Sequence, residues 1–264
     1  MSDAFQTLLA KIIAESAASA AGRAPLIGIA GAQGSGKSFL CRRYADANPR
    51  AARLSLDDVY FTKAERAELA RRFHPLFVTR GPPGTHAVGL AMSVVAALRK
   101  ADPEDQTPLP RFDKASDDRA PEAAWRRFVG RPDVMLLDGW CLGALPDDLG
   151  DAPLNTLEAQ EDADGRWRAR IRQDLTERYQ PFFDGFDAFI YLQAPCWEIV
   201  RRWRAEQEEE TLGRALTAQD EVRLGRFLLH YERLTRSMLA GRHRARWIAH
   251  LDAQRTVTRI EKRD

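Results

Sequence analysis

An apolar run, Pro25-Leu26-Ile27-Gly28-Ile29-Ala30, leads straight into Gly31-Ala32-Gln33-Gly34-Ser35-Gly36-Lys37-Ser38. A strand entering a Gly-x-x-x-x-Gly-Lys-Ser loop has few structural fates. The glycines let the backbone curl so that successive N–H groups point at phosphate oxygens. Lys37 is then set to reach the β- and γ-phosphates, and the Ser38 hydroxyl to bind magnesium. A helix over 38–47 would add the positive end of its dipole. The expected nucleotide-binding residues are Gly31, Ala32, Gln33, Gly34, Ser35, Gly36, Lys37, Ser38 and Phe39.

The rest of the chain alternates short apolar runs with longer amphipathic ones. Runs at 26–30, 53–56, 134–138, 188–193 and 247–251 read as buried strands. Helical patterns cover 5–20, 38–47, 63–73, 88–100, 120–128, 166–179, 197–210 and 218–239. Strand alternating with helix predicts an α/β P-loop NTPase fold, with a central five-stranded parallel sheet and helices on both faces. Without a linker or repeat, 1–264 reads as one domain. Segments 79–86 and 141–161, rich in Gly and Pro, are expected to be substrate loops or lids.

Composition narrows the function. Forty basic residues face 38 acidic ones, a net charge of +2, which argues against a nucleic-acid or membrane footprint. A stripe of Arg223, Arg226, His230 and Arg233 on the last long helix is the one pattern favouring RNA. Cys41, Cys141 and Cys196 have no metal spacing and read as reduced thiols of a cytoplasmic protein. Lys11 and Glu15 interrupt the N-terminal apolar segment, which reads as a surface helix and not a leader.

Acids that follow the phosphate loop choose the chemistry. The second strand ends in Ser55-Leu56-Asp57-Asp58-Val59-Tyr60, and in open parallel sheets the carboxyl ends of strands face the ligand crevice. A carboxylate there can take the proton of an attacking hydroxyl, while its neighbour caps the next helix. The third strand closes on Asp138-Gly139, the Walker B arrangement, whose carboxylate holds magnesium directly or through water. ATP and Mg2+ are the expected cofactors.

These residues together resemble the kinase branch of uridine kinase, phosphoribulokinase and bacterial pantothenate kinase. Ser55-x-Asp57-x-x-Tyr60 is similar to the segment that carries their catalytic base, which implies that role for Asp57. Three further blocks resemble the D-glycerate 3-kinase family: Arg80-Gly-Pro-Pro-Gly-Thr-His86, Leu109-Pro-Arg-Phe-Asp-Lys-Ala115 with Asp118-Arg-Ala-Pro121, and Leu137-Asp-Gly-Trp-Cys-Leu-Gly143. The resemblance spans about residues 26–208. Ala87, Phe112 and Asp138 stand where that family commonly has an acid, a tyrosine and a glutamate.

The resemblance implies ATP-dependent phosphorylation of D-glycerate to 3-phosphoglycerate, a small-molecule reaction. Tyr60, Arg80, His86, Arg111, Asp113, Lys114 and Arg119 are its implied acceptor-binding residues. An arginine on helix 197–210 is implied as a lid over the phosphates, Arg204 before Arg201. Other readings remain: a kinase for pantothenate, a nucleoside or another small acceptor, or a nucleotide-dependent switch. A GTPase switch would carry Asn-Lys-x-Asp, which does not occur.

Overall fold

The computed structural model describes residues 3–146 and 150–263. Asp147, Asp148 and Leu149 of the expected 141–161 loop lie outside the described residues. The strands are β1 Leu26–Gly31, β2 Ala51–Ser55, β3 Gln106–Leu109, β4 Phe112–Asp113, β5 Asp118–Arg119, β6 Arg126–Val129, β7 Val134–Gly139, β8 Ala188–Gln193, β9 Trp247–Leu251 and β10 Val257–Lys262. The helices are α1 Asp3–Ser19, α2 Lys37–Ala47, α3 Lys63–Arg72, α4 Val88–Lys100, α5 Thr156–Glu161, α6 Arg166–Asp174, α7 Gln180–Phe183, α8 Trp197–Leu212 and α9 Ala218–Leu239.

The central sheet has six strands in the order β10-β9-β8-β1-β7-β2. The five expected strands are all parallel, and β10 adds an antiparallel edge. Alternation along each strand separates two cores. Ile27, Ile29, Leu136, Ile190 and Leu192 pack under α1, α2, α8 and the start of α9. Leu26, Met135, Leu137, Phe189 and Tyr191 pack under α4, α6, α7 and the end of α9. Burial of each such aliphatic or aromatic side chain contributes about 1.5–3 kcal/mol, which is why continuous apolar runs become strands covered on both faces.

The helix expected at 120–128 does not form. A 3-10 turn, Glu122–Ala124, leads into β6, which pairs antiparallel with β3. Pro121 stands at the turn's N-cap, and the Trp125 indole N–H donates to the Ala120 carbonyl at 2.8 Å. Phe128 and Val129 favour extended backbone, and β3 supplies the ladder partners that a short polar helix lacks. β4 and β5 form a second small hairpin, whose 114–117 loop reaches the carboxyl end of the sheet.

That end is where the site lies. Register puts Ser55 of β2 and Ile29 of β1 beside Asp138 of β7. Among the described residues, no helix is long and apolar enough to cross a membrane.

Candidate active site

A cavity of about 740 Å3 opens along the carboxyl ends of β1, β2 and β7. At its centre β1 turns into α2 through the glycine-rich loop. Gly34 and Gly36 adopt φ of +74° and +86°, left-handed backbone that side chains disfavour. The Lys37 ammonium donates to the Ala32 carbonyl at 3.2 Å, and burial lowers its pKa against the pull of Asp138 and Asp57. Gln33 lines the cavity, and its two buried side-chain amide atoms have no partner among the described residues.

Beside the lysine is an oxygen-rich corner. The Ser38 hydroxyl donates to Asp138 Oδ1 at 2.7 Å, and the Ser55 hydroxyl to the same oxygen at 3.2 Å. Asp138 is 1% exposed, and its Oδ2 has no partner among the described residues. Burial pushes its carboxyl up from the ordinary carboxylate range. A hydroxyl and a buried carboxylate with a spare oxygen form a hard donor set that fits a magnesium ion.

The next strand end supplies the second carboxylate. Asp57 Oδ1 accepts from the Tyr60 hydroxyl at 3.0 Å, and Oδ2 from the Lys114 ammonium at 2.8 Å. Burial alone would raise this carboxyl. Lys114, Lys37 and Tyr60 outweigh that effect and hold it well below the usual range. Asp58 faces away, accepting from the Phe112 amide at 3.2 Å beside Val59, Ala91, Val94 and Leu137. Burial there pushes its carboxyl up to about 6. Of the two adjacent acids, only Asp57 lines the cavity.

Arg80, Trp140 and Tyr231 close this end of the cavity. Arg80 is paired with Asp117, and its carbonyl accepts from the Tyr231 hydroxyl at 2.8 Å. Gly81 has a φ of +125°, and a Cβ there would sit 1.8 Å from the Tyr231 oxygen, so only glycine fits.

No family model matches the chain. Uncharacterized kinase mug58 of Schizosaccharomyces pombe is 31% identical over 224 residues, which cover 80% of this chain and 79% of that one. The chloroplastic D-glycerate 3-kinase of Arabidopsis thaliana is 28% identical over 196 residues, 69% of this chain and 41% of that one. The chain belongs to the D-glycerate 3-kinase family. A solved structure of D-glycerate 3-kinase from Cryptococcus neoformans shares the fold at a TM-score of 0.76 and 22% identity, covering 99% of this chain and all of that one.

As a member of this family the chain is an ATP-dependent kinase, and the position of each expected residue has chemical meaning. Gln33, Gly34, Gly36, Lys37, Ser38 and Phe39 line the cavity, while Gly31, Ala32 and Ser35 shape the loop behind them. Arg204 lines it too, paired with Glu208 at 2.6 Å. Arg201 lies in a separate groove between α8 and α9. Of the acceptor set, Tyr60, Arg80 and Lys114 line the cavity.

Four expected contacts lie off the cavity. His86 is fully buried, stacked 4.5 Å beneath the Tyr60 ring, with Nδ1 2.5 Å from the Tyr179 hydroxyl. Burial drops its pKa to about 3, so it is a neutral support for Tyr60. Arg111 is exposed outside the cavity. Asp113 closes its own turn on the Ser116 hydroxyl at 2.8 Å. Arg119 holds the hairpin to Tyr60 O and Glu65, each at 3.4 Å. A basic side chain in a polar, proline-broken segment can serve a ligand or a loop, and the sequence does not separate the two.

Sequence reasoning missed Trp140, Tyr231 and Arg255 in the cavity wall, and Arg66, whose buried guanidinium grips Asp117 at 2.7 Å. Trp140 sits in the Leu137–Gly143 block directly after the Walker B Asp-Gly, which was a signal for it, whereas Tyr231, Arg255 and Arg66 belong to no local motif. In the basic stripe of α9, Arg223, Arg226 and Arg233 are engaged by Asp220, Glu161 and Glu158, and His230 is buried.

Proposed function

We propose that this kinase transfers the γ-phosphoryl group of MgATP to a hydroxyl of D-glycerate, giving 3-phosphoglycerate and ADP. The observation that carries the reading is the placement of Asp57. It is an ionised carboxylate held between Tyr60 and Lys114, in one cavity with Lys37, Ser38 and Asp138.

Ser38 and Asp138 would hold the magnesium ion, which neutralises charge on the β- and γ-phosphate oxygens when bound. Lys37 and Arg204 would face the same oxygens and balance the charge that develops on the leaving ADP. Asp57 orients the acceptor hydroxyl and accepts its proton as the new O–P bond forms and the bond to the β-phosphate bridge breaks. Arg80 and Lys114 present cationic groups at the acceptor end, suited to a carboxylate. The named D-glycerate 3-kinases among the relatives support this choice of acid.

The test compares D-glycerate with glycerol, which keeps the hydroxyls and lacks the carboxylate. A site whose buried polar groups expect a partner rejects an analogue without it by up to about 10^4-fold. D-glycerate is expected to be the far better substrate. Arg80→Ala is expected to raise KM for the acid about tenfold or more and to leave KM for ATP alone. Equal rates on the two acceptors sink the assignment, as does robust turnover of pantothenate or a nucleoside with none of glycerate.

A further inference from the structure

The turn between β9 and β10 contains a backbone outlier. Arg255 has a φ of +65°, in a short hairpin turn where that conformation favours glycine. The turn is well bonded without its side chain. Asp252 Oδ1 accepts from the amides of Gln254 at 2.9 Å and Thr256 at 2.8 Å, and the Arg255 amide donates to Asp252 O at 3.0 Å. Nothing in the turn itself requires an arginine. A strained residue kept at such a position points to a use for its side chain.

That side chain reaches the nucleotide loop. Arg255 Nε–H donates to the Gly34 carbonyl at 2.7 Å, across 221 residues of sequence. Its terminal nitrogen pairs with Glu206 of α8 at 2.7 Å, and the guanidinium lies 5.1 Å over the Trp203 ring. Trp203 in turn donates its indole N–H to Ala253 O at 2.9 Å. Gly34 sits directly on this helix, since a Cβ there would meet Trp203 Cβ at 2.6 Å.

The loop apex is thereby held at both ends of one planar unit. The Gly34 carbonyl and the Ser35 amide belong to the same peptide. The Ser35 N–H donates to Ala32 O at 3.2 Å, and Arg255 takes the carbonyl. The same guanidinium fastens α8 at Trp203 and Glu206, and Arg204, which lies between them in sequence, projects into the cavity.

We infer that Arg255 is a positioning residue that locks the apex of the phosphate loop to helix α8 and so sets where Arg204 stands relative to the bound triphosphate. The inference rests on nucleotide binding at Gly31–Phe39, part of the reading above, and not on which acid is phosphorylated.

The test uses the full chain with Arg255→Gly and Arg255→Lys. Glycine removes the guanidinium and suits the left-handed backbone, so Tm is expected to stay within about 4 °C of wild type. Displacement of reacting groups by about 1 Å can cost about 100-fold, so kcat/KM for ATP is expected to fall about 10- to 100-fold. MgATP titrated without acceptor, followed by its shift of Tm, is expected to bind more weakly in the same variant. Lysine keeps the charge but lacks the planar fork that spans Gly34 O and Glu206, and is expected to fall between. Wild-type ATP binding and turnover in Arg255→Gly overturn the inference. A collapse of Tm in both variants that accounts for the lost activity overturns it too, by making Arg255 a stability residue. Failure of the wild-type chain itself to bind MgATP would instead overturn the nucleotide-site reading.

Discussion

Asp57 and Asp58 are adjacent and differ in nearly everything that matters, so neutralising each gives opposite results. Asp57→Asn keeps the shape, and its carbonyl oxygen can still accept from Lys114. What it loses is the ability to take a proton. General-base catalysis is worth about 10^2–10^4 in rate, or about 3–5 kcal/mol of barrier, so kcat is expected to fall by that factor. ATP affinity is expected to stay near wild type, because Asp57 acts on Lys37 through space and its carboxylate is hydrogen-bonded to Tyr60 and Lys114 rather than to the glycine-rich loop. Asp58→Asn can still accept from the Phe112 amide, and removes a carboxyl that burial pushes up to about 6. A folded-state pKa above the ordinary 3.8 stabilises the protein below pH 4, and that contribution is lost as pH rises through 6. Above that pH the buried charge costs at most about 3 kcal/mol, an upper bound because the side chain is partly open to solvent. The Asn variant is therefore expected to match wild type near pH 4 and to exceed its Tm by several degrees at pH 8, with kcat little changed. Thermal melts from pH 4 to 8 and a coupled assay of ADP release read both effects. If Asp58→Asn is the inactive variant, the proton acceptor is off by one residue. If its Tm advantage does not grow with pH, the burial argument is wrong.

Two further substitutions separate chemistry from support. Lys37→Ala removes the charge aimed at the β- and γ-phosphates and is expected to lower kcat about 10^2–10^3-fold in protein that still melts cooperatively; near-normal turnover would contradict the phosphate-loop reading. His86→Ala opens a gap beneath Tyr60 and strips a bond from the Tyr179 hydroxyl, so a loss of about 2–4 kcal/mol of stability is expected in urea unfolding. Its KM for the acid should move less than that of Arg80→Ala, and a selective rise in that KM with unchanged stability would return His86 to the acceptor site.

Much of the architecture was legible because it is written in local periodicity. The limits of α4 and α9 match the apolar pattern over 88–100 and 218–239. The five parallel strands are continuous apolar runs, as strands covered on both faces must be. β10 was not legible, because an edge strand alternates charge with little burial and its Val257-Thr-Arg-Ile-Glu-Lys carries no strong period. β4 and β5 are two residues each and exist only because they pair. The 120–128 helix failed for the same reason, since β3 offered Phe128 and Val129 a ladder that no single-segment reading contains.

The site divides along the same line. The glycine-rich loop from Gly31 to Ser38 and the strand-end acids Asp57 and Asp138, which share one cavity with Lys37 and Ser38, were legible in the sequence, because each is a local pattern: residue types at short fixed spacing, or an acid closing an apolar run. Which basic side chains meet the cavity was decided only by tertiary structure. Lys114 reaches Asp57 because Arg66, buried elsewhere, grips the hairpin at Asp117. His86 faces Tyr179 because Tyr60 covers it. Arg255 meets Gly34 because β9 and β10 extend the sheet past β8 and turn back over α8. Contacts across so many residues depend on how the elements pack, and no pattern along the chain encodes where a distant turn will come to rest.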